Sequence, residues 1–225
     1  MRMHHKLFFG VLFLFLASYG LQAQIRFGAK AAFNIATVNY RVHPGLQPKM
    51  NPTYTIGGVM ELPLPINTFL NVGLEAQTKG YRYAIVGTDT SDQVNATVTP
   101  LYIQVPVSWT FRGEEGGVYG GIGAYAAYGV AGNVKKVIHS YVDDARTETS
   151  ESVVYGKKEN THFPGFDFGA VIEFGFETEM GIRISGTYSW GIGDFRSDVV
   201  KGEYIAPVNH RVGSICLSYM FASVK

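Results

Sequence analysis

The feature that most narrows what this chain can fold into is an alternation of period two, repeated in eight separate stretches: 25–36, 54–64, 69–83, 101–111, 118–130, 166–177, 181–190 and 211–221. In LYIQVPVSWTF, Leu101, Ile103, Val105, Val107, Trp109 and Phe111 fall on one side and Tyr102, Gln104, Pro106, Ser108 and Thr110 on the other. In GFDFGAVIEFGFE, Phe166, Phe168, Ile172, Phe174 and Phe176 oppose Asp167, Gly169, Glu173, Gly175 and Glu177. Successive side chains of a strand point to opposite faces, so each stretch reads as a strand between two unlike environments. A content of 27 Gly, 14 Tyr and 15 Phe with only 16% charged residues fits aromatic and glycine-rich strands better than a soluble helical bundle.

The connections alternate in length. Those at 64–69, 111–118 and 177–181 are short, while those after Ala36, Tyr83, Val130 and Trp190 are long and polar. In an up-and-down barrel every second connection lies on the same rim, so one end is short-turned and the other long-looped, as in outer-membrane barrels. The strand lengths also suit the roughly 9 to 11 residues that a tilted strand needs to cross a bilayer. The expectation is an all-β, eight-stranded, antiparallel, up-and-down transmembrane β-barrel.

Which face meets lipid follows from the charges. The less apolar face carries Arg26, Lys30, Glu61, Glu75, Lys79, Gln104, Asp167, Glu173, Glu177 and Arg183, interspersed with glycines. A lipid-facing cation near the bilayer midplane costs roughly 2 to 4 kcal/mol, and Arg26, Lys30, Lys79 and Arg183 together would equal the stability of a whole domain. These residues are therefore expected inside, as a packed polar network and not a pore. Trp109, Phe111, Tyr188, Trp190, Tyr219 and Phe221 cluster at strand ends, where an interfacial aromatic girdle requires them. The competing arrangement is a soluble, lipocalin-like barrel with the aromatic face around a hydrophobic ligand. It would leave a glycine-rich face, a poor strand former, in water.

MRMHHKLFFGVLFLFLASYGLQAQ opens the chain with a basic start, an apolar run over 7–16, and small residues ending at Ala23. That is the layout of an export signal, and the run is far shorter than the roughly 20 residues of a membrane helix. The reading is a signal peptide over 1–23, a barrel domain over 24–225, and an outer-membrane location, with outer-membrane lipid as the surrounding partner. A net charge of +1 gives no electrostatic reason for a nucleic-acid partner. The single cysteine, Cys216, builds neither an intrachain disulfide nor a cysteine zinc site and reads as small buried filler.

No catalytic, cofactor-binding or metal-binding residue stands out, and no cofactor is expected. GIGAYA at 121–126 is close to a dinucleotide fingerprint, but that motif needs a helix opening at its glycines, and here a strand continues. His43, His139, His162 and His210 fall in or beside long loops, where solvation is the ordinary state. A lipid-modifying enzyme working at the outer rim would draw on His162 or His210 for acyl transfer. The segment 131–163 holds Lys135, Lys136, Asp143, Asp144, Arg146, Glu148, Glu151, Lys157, Lys158 and Glu159, and is the stretch best suited to meet a partner such as a secretion or envelope protein. VKKVIHSYV and ESVVYG keep some alternation, which predicts an outward hairpin extending the fifth and sixth strands. The chain is expected to be a monomer.

Taken in order, several of these stretches resemble one family. FGAKAAFNIATV carries Gly28, Lys30 and Asn34; LNVGLEAQTKGYRY carries Glu75 with Lys79 and Gly80; LYIQVPVSW carries Pro106. With YGGIGAYAAYG, DFGAVIEFGFE and the closing LSYMF, the set resembles the PorT-like outer-membrane β-barrels of Bacteroidota, kin in architecture to the small OmpA and OmpX barrels. Ala32 stands where that pattern usually has glycine, and residues 222–225 follow Phe221 at the end. The resemblance implies an outer-membrane barrel and, as for some members, a part in exporting proteins across that membrane.

Overall fold

The computed structural model describes residues 25–39, 48–85, 93–113, 117–142, 145–156, 163–193 and 208–221. The signal-peptide reading, His43 and His162 lie outside them. The described residues form ten strands and no helix: β1 (Arg26–Asn39), β2 (Asn51–Leu64), β3 (Thr68–Thr78), β4 (Tyr81–Ile85), β5 (Gln93–Arg112), β6 (Gly117–His139), β7 (Arg146–Ser152), β8 (Phe166–Glu177), β9 (Ile182–Gly191) and β10 (Asn209–Met220). Hydrogen-bonded neighbours run β1, β2, β3, β5, β6, β8, β9, β10 and back to β1, every pairing antiparallel. Eight strands thus close a ring, and closure removes the unpaired edges that a bilayer does not tolerate.

β3 and β4 share one register against β5. Thr68 faces Phe111 and Thr78 faces Leu101; the same offset then sets Tyr81 against Val98 and Ala84 against Asn95. The sequence predicts one strand through this stretch, and the structure interrupts it at Lys79 and Gly80 without losing register: the Lys79 N–H donates to the Pro100 carbonyl at 2.9 Å, and Lys79 is buried in the lumen as Glu75 and Gln77 are. Gly80 has φ 129°, and a Cβ there would lie 1.9 Å from the Val98 carbonyl oxygen, so this position requires glycine.

β5 and β6 are far longer than their alternation over 101–111 and 118–130 predicts, at 20 and 23 residues. Their extra lengths pair with each other beyond a bulge at Leu101 and Tyr102. β4 then flanks β5 and β7 flanks β6, so a four-stranded sheet stands above the ring on its long-loop side. The predicted hairpin is corrected in its make-up. VKKVIH does extend β6, but its partners are β5 and β7; Glu151 and Ser152 end β7, and Val153 turns into the barrel mouth.

Burial is inverted relative to a soluble protein. Phe27, Phe33, Ile56, Leu74, Val105, Ile122, Phe168, Ile172, Phe174, Ile184, Ile215 and Leu217 are exposed on the outside, while Asn34, Glu61, Glu75, Lys79, Asp167 and Arg183 are buried. The short connections lie at one end. Pro65, Ile66 and Asn67 join β2 to β3, and Ile66 is held at φ 64°, a left-handed conformation that costs a β-branched residue about 1 to 2 kcal/mol. Thr178 to Gly181 join β8 to β9, where the Ile182 N–H donates to Thr178 Oγ1 at 3.1 Å.

Candidate functional site

Inward-pointing positions of neighbouring strands stack polar side chains in layers along the lumen. At the short-turn end, Glu61 and Glu177 are gripped by three arginines from three strands. Arg26 reaches Glu61 at 3.1 Å and Glu177 at 2.5 Å; Arg112 reaches Glu61 at 2.5 Å and Glu177 at 3.0 Å. Arg183 binds Glu177 through Nε at 2.5 Å and also contacts Glu61. Register creates part of this cluster, since Arg26 faces Glu61 across β1 and β2, and Glu177 faces Arg183 across β8 and β9. Phe69 closes the layer beneath the Arg112 guanidinium, 4.3 Å from its ring centre.

In the next layer Lys30 pairs with Glu75 at 2.9 Å, while Glu173 accepts from Tyr119 Oη at 2.9 Å and from Ser185 Oγ at 2.8 Å. Lys30, Glu75, Gln104, Glu173 and Cys216 line a cavity of about 50 Å³, space for a few water molecules and too little for a channel. Cys216 is buried there. The third layer holds Lys79 against Asp167 at 2.8 Å, with Tyr125 Oη donating to the same carboxylate oxygen at 3.2 Å. The Lys79 ammonium lies 4.1 Å from the Tyr125 ring centre and 5.2 Å from that of Tyr102. Above it, Val38, Val98, Val134, Val153, Phe163 and Val208 form an apolar seal, with Tyr81, Tyr83 and Tyr155 packed against it. Burial pushes the Tyr83 phenol above its ordinary pKa. Tyr155 fits because Gly129 has no side chain: a Cβ there would meet its ring at 2.2 Å.

All ten residues of the expected polar network therefore lie in this column. Arg112 was not among them, because it falls one position past the stretch 101–111. Its parity with Tyr102, Gln104, Ser108 and Thr110, all inward, is the signal that would have found it. His210 corrects an expectation. It is not solvated beside a loop but buried on the inner face of β10, its ring 5.8 Å from that of Tyr102. Its parity with the buried Val212, Cys216 and Met220 turns it inward, away from any rim where acyl transfer would occur. His139 lies on β6 in the outer sheet. Gly121 to Ala126 continue as strand within β6, with no helix for a phosphate to meet. Among the described residues no group of three or more His, Cys, Asp or Glu side chains is placed to hold a metal ion.

The aromatics named for a girdle divide between the two ends. Trp109, Phe111, Tyr219 and Phe221 point outward near the short turns, and Tyr188 and the half-buried Trp190 lie toward the long loops, their rings 4.6 Å apart. The sequence matches the outer membrane protein β-barrel domain family over residues 21–197. The chain belongs to that family. Among solved structures it is similar to Ail, the attachment invasion locus protein of Yersinia pestis, at 11% identity and a TM-score of 0.41 over 87% of this chain and 99% of that one. That structure is a complex with the heparin analogue sucrose octasulfate. Neisserial surface protein A is similar at 9% identity and a TM-score of 0.37 over 88% of this chain and 97% of that one. Among curated proteins none matches.

In an outer-membrane β-barrel the short turns face the periplasm, so the arginine and glutamate layer lies at the periplasmic end and the four-stranded sheet outside the cell. The outward residues of β5 mark the boundary. From Phe111 back to Leu101 they are apolar; the next ones, Thr99, Thr97, Asn95 and Gln93, are polar. Ten residue steps at about 3.3 Å and a tilt near 40° rise roughly 25 Å, the height of the apolar band of such barrels. On β6 the change falls between Ala131 and Asn133, at the bulge.

Proposed function

We propose that this outer-membrane barrel is a non-enzymatic structural and surface-interaction protein, whose business end is the four-stranded sheet that β4, β5, β6 and β7 raise above the membrane. The single observation carrying this reading is the contrast between its two polar regions. Inside, the charges pair with one another beneath an apolar seal. Outside, β7 is exposed along its whole length, and Lys135, Arg146, Glu148 and Glu151 stand in solvent, where even the Lys135–Glu148 pair, about half exposed, is open to another molecule.

The outward placement of Phe168, Ile172, Ile184 and Val105 runs against a lipocalin-like cavity, and the burial of His210 runs against acyl transfer by that residue at the rim. Resemblance to PorT-like barrels supports, within the same reading, a helper role in exporting proteins across the outer membrane, with residues 1–23 directing the chain there. Because Val134 and Glu151 face each other in register, residues 135–150 can be replaced by a two-residue Asn-Gly turn without moving the barrel strands. Cells carrying this version are expected to show reduced attachment or altered exported proteins with an unchanged lipid A profile. Normal attachment and normal export would reject the reading.

A further inference from the structure

Among the described residues, two groups of basic side chains above the membrane boundary contrast. On the β6 and β7 side, Lys135 holds Glu148 at 2.5 Å and Arg146 lies 3.8 Å from the same carboxylate. On the other side, Lys49 and Arg82 sit opposite each other in an antiparallel bridge, with the Lys49 N–H donating to the Arg82 carbonyl at 2.6 Å and the Arg82 N–H to that of Lys49 at 3.1 Å. Cross-strand partners project to one side, so two cations share a small patch, and both are exposed. Arg82 commits only its Nε, to Asn51 Oδ1 at 3.0 Å, and no carboxylate among the described residues lies within ion-pair reach of either cation. The β5 residue opposite Arg82 is Thr97, and its outward neighbours Asn95 and Thr99 are likewise uncharged.

Below this patch, on the lipid-facing wall, Ala31 opens a hollow walled by Phe33, Tyr54, Ile56, Ile215 and Leu217. The Phe33 and Tyr54 rings meet edge to face at 5.8 Å on its wall. Tyr54 is tied to Thr78, whose hydroxyl takes the Tyr54 N–H at 2.9 Å, and Arg82 lies four residues further along that strand line. Four steps of about 3.3 Å at a tilt near 40° put the cations about 10 Å above Tyr54. That is headgroup depth, just outside the roughly 30 Å hydrocarbon core.

We propose that Lys49 and Arg82 bind a phosphate on the headgroup of an outer-leaflet lipid whose acyl chain lies in the Ala31 hollow. A phosphate matches paired cations with free donors, since charge-assisted hydrogen bonds to its oxygens are the strong kind and Arg82 keeps its terminal nitrogens available. The acyl chain fills a concavity that already faces hydrocarbon.

The test loads the detergent-purified full-length barrel with diphosphoryl lipid A and counts retained lipid by native mass spectrometry. Lys49→Ala and Arg82→Ala are each expected to weaken retention about tenfold, and the pair about a hundredfold. Ala31→Phe, which fills the hollow with both cations intact, is expected to weaken it as well. Lys135→Ala, whose charge already has a partner, is expected to behave as wild type, and heat-modifiable migration shows that every variant is folded. Equal retention of dephosphorylated lipid A, or wild-type retention by the double variant, would overturn the phosphate site. Full competition by inorganic phosphate, or no effect of Ala31→Phe, would overturn its assignment to a membrane lipid.

Discussion

Lys79 and Asp167, 88 positions apart in sequence, meet at 2.8 Å in the lumen with 0% and 1% of their side chains exposed. Neither charge can be hydrated there, so each depends on the other. Lys79→Met leaves a buried carboxylate with only the Tyr125 hydroxyl and is expected to lower unfolding stability by about 3 to 5 kcal/mol. Lys79→Met combined with Asp167→Leu removes both charges and is expected to recover most of the loss. Urea titration of the micelle-bound barrel, followed by heat-modifiable migration, reads both numbers; a double variant as unstable as the single one would contradict the pairing argument.

The two glutamates at different heights of the lumen separate charge pairing from simple hydrogen bonding. Glu61 faces Arg26, Arg112 and Arg183, whereas Glu173 accepts from the neutral hydroxyls of Tyr119 and Ser185. Glu61→Gln leaves three guanidinium groups around Glu177 alone and is expected to cost about 3 kcal/mol or more, while Glu173→Gln keeps an acceptor and is expected to cost about 1 kcal/mol. The same titration ranks them, and equal costs would mean that the arginine layer contributes no special stability.

These pairs also show what could be read without coordinates. LYIQVPVSWTF disclosed its two faces because lipid on one side and packed polar groups on the other impose opposite demands at every step. QVNATVTP, just before it, is strand as well, but its outward residues Thr97 and Asn95 meet water instead of lipid. The apolar half of the signal fades there although the inward Val94, Ala96 and Val98 keep their beat. Arg112 was passed over because it lies one position beyond the stretch 101–111, and His210 was read from its nearness to a loop, whereas parity with inward neighbours decides where each one points. The interruption at Lys79 and Gly80 is a different case: the burial of Lys79 follows from its parity with Glu75 and Gln77, but the crowding of Gly80 against the Val98 carbonyl depends on a neighbouring strand that local alternation does not reveal.

On the outer sheet, Lys135 donates a hydrogen bond to Glu148 and holds its carboxyl below the usual carboxylate pKa, with the charges of Lys135 and Arg146 adding to the effect. A depressed folded-state pKa stabilises β7 at pH values above that of the unfolded carboxylate, and the stabilisation is lost as pH falls through the folded one. Protease cleavage within 146–152 is therefore expected to accelerate in acid while the barrel stays heat-modifiable. Glu148→Gln should cleave at a rate that no longer depends on this titration, and added salt should shrink the wild-type effect.

The turn at Pro65, Ile66 and Asn67 stores strain that function does not need. Ile66 is 87% exposed and makes up for its left-handed φ with no burial. Ile66→Gly is expected to raise stability by about 1 kcal/mol, visible as a higher urea midpoint at unchanged slope. A lower midpoint would show that the isoleucine side chain supports the turn in some other way.

The chain has two tryptophans, Trp109 near the short turns and Trp190 toward the long loops, which makes the height of the membrane directly measurable. Trp109 points outward and is 55% exposed, so in a bilayer it contacts lipid and not water. If both rings lie in interfacial girdles, bromines placed on acyl chains close to the headgroup will quench each of them more than bromines close to the terminal methyl. Trp190→Phe isolates Trp109, and Trp109→Phe isolates Trp190, in barrels refolded into lipid. Stronger quenching of Trp109 by the deep label would place that ring at the bilayer centre, and the periplasmic boundary would then have to move outward past Phe111 and the short turns. Quenching of neither ring by either label would mean that the aromatic face does not meet lipid, and the lipid-facing assignment of the whole outer wall would fall with it.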